Sequence, residues 1–114
     1  MYFLATEYSN KWEGLARADG TAGLYKKIGD KWSTVWETPA NNNLVKTGPT
    51  DVSSVRAVVK NGTVTVIVNG QTVKSVRAQI PAGDFKFGFA VEYNKTSAAP
   101  VSFAVHSYKV TAVE

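Results

Sequence analysis

Hydrophobic alternation with a period of two dominates this chain and constrains its fold more than any other feature. Val64, Val66 and Val68 alternate with Thr63, Thr65 and Ile67, and Val55, Ala57 and Val59 alternate with Ser54, Arg56 and Val58. Phe85, Phe87, Phe89, Val91 and Tyr93 alternate with Lys86, Gly88, Ala90 and Glu92. Such patterning predicts half-buried antiparallel strands. No window repeats apolar residues at helical spacing behind a cap, so the chain reads as all-β. Asn61-Gly62 and Asn69-Gly70 separate three of the runs. Both dipeptides supply the two positive φ angles of a type I′ turn, so residues 55–77 are predicted to form a three-stranded meander.

Ser9-Asn10, Asp19-Gly20 and Gly29-Asp30 punctuate the first third in the same way. They imply strands near 2–8, 12–18, 22–28 and 31–37. Pro81-Ala82-Gly83-Asp84 precedes the phenylalanine strand, and a loop from Asn94 to Pro100 precedes a last strand over 101–110. There a bulge near His106-Ser107 would bring Tyr108 and Val110 to the face of Val101, Phe103 and Val105. About nine short strands with frequent turn signals predict a single antiparallel β-sandwich domain spanning residues 1–114. The one long irregular stretch, Glu37 to Asp51, exceeds ordinary connections and reads as functional or mobile.

A length of 114 residues is enough for one modest core. No stretch approaches the roughly 18 apolar residues of a membrane span. No basic-then-apolar leader follows Met1, so a signal peptide is expected to have been removed or to have belonged to a longer parent. Thirteen basic and nine acidic side chains give +4, but the basic residues alternate singly with apolar ones. A nucleic-acid partner is not expected, because that would call for a basic stripe. Without cysteine, disulfides, thiol catalysis and Cys-based metal sites are excluded.

His106 is the only imidazole, no Gly-x-Ser-x-Gly elbow is present, and no catalytic residue is assigned. Glu7 and Glu13 flank the Ser9-Asn10 turn, and a hairpin there could face them as a carboxylate pair. Asp19, Asp30, Asp51 and Asp84 sit in turn contexts, where Asp bonds nearby backbone. Asn41, Asn42, Asn43 and Asp51 share a loop and offer oxygens to calcium, but the spacing of a calcium loop is absent. No cofactor is expected, with calcium as the alternative. Aromatic residues are the better lead: Trp12, Trp32, Trp36 and Tyr25 are candidates for a sugar-stacking platform, because Trp offers a flat apolar face with a polar edge. Seven of the thirteen lie in residues 1–36 and none in 37–84. Trp32 and Trp36, four apart in one predicted strand, should share a face and either stack on a ligand or fill the core against Phe85, Phe87 and Phe89. Trp12, between Lys11 and Glu13, is expected outside. Trp12, Trp36, Asn42 and Asn43 are the candidate ligand contacts.

The run from Val55 to Val73, with its Val68-Asn69-Gly70-Gln71-Thr72-Val73 turn, resembles the central hairpins of concanavalin A-like jelly rolls, in the laminin-G-like and 3-keto-disaccharide hydrolase-like branch. Pro81 to Phe89 and Val101 to Val110 follow the order of that branch's closing strands, and Gly23 to Trp32 is similar to its upstream hairpin. The resemblance covers about residues 20–114. It implies a concanavalin-like sandwich, glycan handling and an extracellular or periplasmic location. Full-length members exceed about 150 residues, within the usual range of domain sizes, so this chain reads as a fragment of a larger jelly roll. The laminarinase-type E-x-D-x-x-E strand is absent. The expected function is non-catalytic recognition of carbohydrate or another extracellular polymer. The alternatives are an assembly module of a cell surface or particle coat, or the non-catalytic part of a glycoside-processing hydrolase. Missing strands would leave open edges, so a homodimer or a strand-supplying partner is expected.

Overall fold

The computed structural model describes residues 1–7, 9–39, 44–48, 50–80, 84–90, 104 and 107–111. The predicted last strand, its bulge at His106 and the candidates Asn42 and Asn43 lie outside those residues. Eight strands occur among the described residues: β1 (Tyr2–Glu7), β2 (Asn10–Ala16), β3 (Ala22–Ile28), β4 (Lys31–Glu37), β5 (Val55–Lys60), β6 (Thr63–Val68), β7 (Gln71–Arg77) and β8 (Lys86–Gly88). They form two antiparallel sheets, ordered β4-β3-β2-β1-β8 and β5-β6-β7.

The meander forms as its turn residues dictate. Asn61 and Gly62 have φ of 50° and 70°, Asn69 and Gly70 have 49° and 80°, and Gly29 and Asp30 have 55° and 65°. These paired left-handed conformations match the twist of the flanking strands. Strand β2 starts at Asn10, two residues ahead of its predicted start, because the β1–β2 register runs through to Glu7 opposite Asn10.

The core lies between the sheets. Phe3, Leu4, Trp12, Ala22 and Leu24 of the larger sheet meet Val64, Val66 and Val68 of the smaller one. Fully burying a side chain of this size contributes about 1.5–3 kcal/mol. Val45, from the long stretch between β4 and β5, completes the cluster. Its amide donates to the Gly20 carbonyl at 3.4 Å, and Asn69 Nδ2 donates to the Leu44 carbonyl at 2.8 Å. This part of the loop is therefore structural, plugged into the core and tied to the β6–β7 turn.

Two expectations are corrected here. Phe85, Phe87 and Phe89 do not fill the core; each is exposed, by 36%, 46% and 51%. The cause is sheet width. Strands lie about 4.8 Å apart, so a three-stranded sheet falls roughly 10 Å short of covering a five-stranded one. The buried cluster stops at β1, and β8 contributes nothing to it. Nor do Trp32 and Trp36 share a face. Leu24 pairs with Trp36 but Tyr25 pairs with Thr34, so Val35 is a surplus residue that reverses the alternation between the two tryptophans.

Candidate binding face

The cross-strand register lays out the outer face of the larger sheet in rows. One row holds Lys11, Lys27 and Trp32; the next holds Tyr2, Glu13, Tyr25 and Thr34. Opposed residues in a sheet point to the same side, so these side chains form one surface. Trp32 is 49% exposed, the largest apolar side chain on that surface.

Two glycines flatten the surface. A Cβ on Gly23 would lie 2.6 Å from Tyr25 Cε2, and one on Gly88 would lie 2.5 Å from Tyr2 Cζ. No other residue leaves room for a ring laid down on the backbone, so each glycine is required by its tyrosine.

Three of the basic groups on this side of the sheet are paired in place. Lys11 Nζ and Glu13 Oε2 are 3.3 Å apart with both side chains buried. Lys11 Nζ also stands 5.3 Å from the Tyr2 ring centre and 5.4 Å from that of Trp32. Both are cation–π distances. Lys27 Nζ stands 5.2 Å from the Trp32 ring and pairs with Asp30 at 3.3 Å. Arg17 donates to the Tyr25 hydroxyl, which donates in turn to Glu37. Burial opposes the charge on Arg17, but the Tyr25 hydrogen bond and the nearby acidic groups outweigh it and raise its pKa. Burial raises the Tyr25 pKa as well, reinforced by the hydrogen bond to Glu37. At neutral pH the chain therefore holds a neutral phenol between opposite charges.

The candidates from sequence are distributed differently. Trp12 is not outside: it is 7% exposed on the inner face, with Phe3 stacked on it at 6.4 Å. Its neighbours Lys11 and Glu13 hold the outer side of the same strand, and alternation sends Trp12 inward. Trp36 is half-buried against the core and lines a pocket of about 360 Å³ with Thr38, Pro39, Leu44, Gln71 and Thr72. Glu7 and Glu13 do not face each other, because Glu7 pairs with Asn10 and Glu13 with Tyr2. Asp51 Oδ2 accepts the Gly48 amide at 2.9 Å, and Asp19 Oδ1 accepts the Thr21 amide at 2.9 Å, both as turn residues. Among the described residues no group of three or more His, Asp or Glu side chains could hold a metal ion.

Trp32 and Tyr25 reach this face as two of the aromatic residues expected to stack on a ligand, whereas Tyr2 and the glycines on which the two tyrosines lie were not singled out from sequence. A Gly two residues before Tyr25 on the same strand was the available signal. No known family, curated protein or solved structure matches this chain.

Proposed function

We propose that the chain is a non-catalytic recognition module for a neutral carbohydrate or comparable extracellular polymer, bound on the outer face of the larger sheet. The observation that carries this reading is the half-exposed Trp32 on a surface where Lys11, Arg17 and Lys27 are each held in an ion pair. A flat indole offers apolar area to the face of a sugar ring, and fixed charged groups around it suit hydroxyls. Ion pairs of this kind weaken the field that would draw in a polyanion. The concanavalin-like kinship and an extracellular or periplasmic location belong to the same proposal, and both rest on the order of the hairpin motifs.

Retention on immobilised neutral polysaccharides, with alginate as the acidic comparison, tests the reading. Trp32→Ala is expected to abolish retention on the neutral polymer and leave the melting temperature unchanged. Retention unaffected by Trp32→Ala would overturn the outer-face assignment. Loss only in Trp36→Ala would move the site to the Trp36 pocket. A second reading, assembly of copies of this chain, is supported by the exposed Phe85, Phe87, Phe89, Tyr108 and Val110. A clean 12.3 kDa monomer by light scattering would defeat it.

A further inference from the structure

Near the β3–β4 turn, residues of β1, β2 and β3 and of the segment after β7 line a groove of about 400 Å³. That volume falls within the roughly 300–1,000 Å³ of small-ligand sites. Its apolar lining comes from Leu4, Trp12, Ile28 and Ile80. Ile28 and Ile80 are 57% and 37% exposed at the mouth, while Leu4 and Trp12 are buried at the floor. Among the described residues, three lysines line the groove and no carboxylate does. Two of the three ammonium groups are engaged elsewhere: Lys11 with Glu13, and Lys27 with Asp30. Lys26 differs. It pairs with Trp12 across β2 and β3, and so belongs to the inner face. Its Nζ stands 5.4 Å from the Trp12 ring centre, and among the described residues it joins no ion pair. Thr6, Asn10 and Gln79 supply neutral polar groups around it.

An apolar floor beneath a single cation matches a ligand with a hydrocarbon body and one anionic head. We infer that this groove binds an amphipathic carboxylate, with its chain against Trp12, Leu4 and Ile80 and its head on Lys26. The inference does not rest on the carbohydrate reading: Lys11 and Lys27 border both sites, but Trp12 and Lys26, which carry it, face the opposite side of the sheet from Trp32. A charge-assisted hydrogen bond to the head group fixes orientation, and burial of the chain supplies affinity.

Decanoate and decanol, titrated at neutral pH below the micelle threshold of decanoate, form the test. Calorimetry should show one site per chain for decanoate and at least tenfold weaker binding of decanol. Lys26→Gln should reduce decanoate affinity to that of decanol without changing the melting temperature. In amide and indole NMR spectra, the Trp12 indole N–H and the Ile80 amide should shift while Trp32 stays still. Absence of decanoate binding, equal affinity for acid and alcohol, or shifts confined to Trp32 or to the exposed phenylalanines would each overturn it. Lys26→Met, which keeps an apolar stem over Trp12, guards against a packing effect. It should retain decanol binding and lose the preference for the acid.

Discussion

The two sheets are built from similar alternating strands and yet do different work. In β5-β6-β7, Val64, Val66 and Val68 are essentially sealed while Thr63, Thr65 and Ile67 face outward. Its pairing runs regularly except for one shift between Val66 and Ile67. In β4-β3-β2-β1-β8 the register shifts at three of the four pairings. That sheet also carries the buried Lys11–Glu13 pair and the flattened tyrosines. The difference teaches that regular alternation suffices to make a lid for a core, whereas a surface with chemistry on it requires departures from alternation.

Substitutions on the two faces of β2 and β4 give the sharpest contrast. Trp12→Ala removes the stacked partner of Phe3 from the core and is expected to cost about 3–5 kcal/mol, read as a lower urea midpoint. On the outer face Trp32→Ala should change stability by no more than about 0.5 kcal/mol. Equal losses at the two positions would erase the distinction between faces. A smaller effect separates the two Asn-Gly turns of the other sheet. Asn69→Gly keeps a residue suited to φ of 49° but removes the side-chain bonds to Leu44 and to the Ser54 amide. Each such bond is worth about 0.5–1.5 kcal/mol, so Asn69→Gly should be the more damaging of the pair by about 1–3 kcal/mol. Matching midpoints for Asn69→Gly and Asn61→Gly would show that the loop tie contributes nothing.

The smallest effect lies in acid. The Thr21 hydroxyl and amide hold the Asp19 carboxylate below its usual range. A group with a depressed folded pKa contributes stability above its unfolded value, near 3.8, and loses it as the pH falls through the folded one. Asp19→Asn should therefore lower stability slightly at about pH 5, and the gap to the parent should close as the pH falls through the folded pKa, with urea midpoints as the measurement. A gap between the two that persists at low pH would assign the effect to something other than ionisation.

The meander from Val55 to Arg77 was legible because its turns and its alternation are both local, each written within a few residues. What escaped was set at a distance. Val35 changes the face of Trp32 only through its pairing with β3, and nothing near it in sequence announces a surplus residue. The exposure of the phenylalanines depends on how far a different sheet extends. Trp12 was misplaced through its charged neighbours: Lys11 and Glu13 look solvent-facing in sequence, but they neutralise each other beside aromatic rings. A strand can thus be buried on both faces while reading as half polar.

The irregularity in β1 has a consequence for how the chain tolerates changes of length. From Phe3 to Glu7 is four steps, against two from Trp12 to Asn10 on the partner, so β1 carries two residues more than β2 across the same span. Leu4, at φ 50°, lies in that excess. An even surplus returns every later side chain to its original side, whereas the single surplus residue at Val35 does not. Loss of one residue between Leu4 and Thr6 would send Tyr2 and Phe3 to each other's sides, exchanging a core aromatic for a surface one. Loss of two would restore a plain strand with both rings in place. In β1, then, insertions and deletions are filtered by parity rather than by size, and drift in this segment is expected to proceed in pairs.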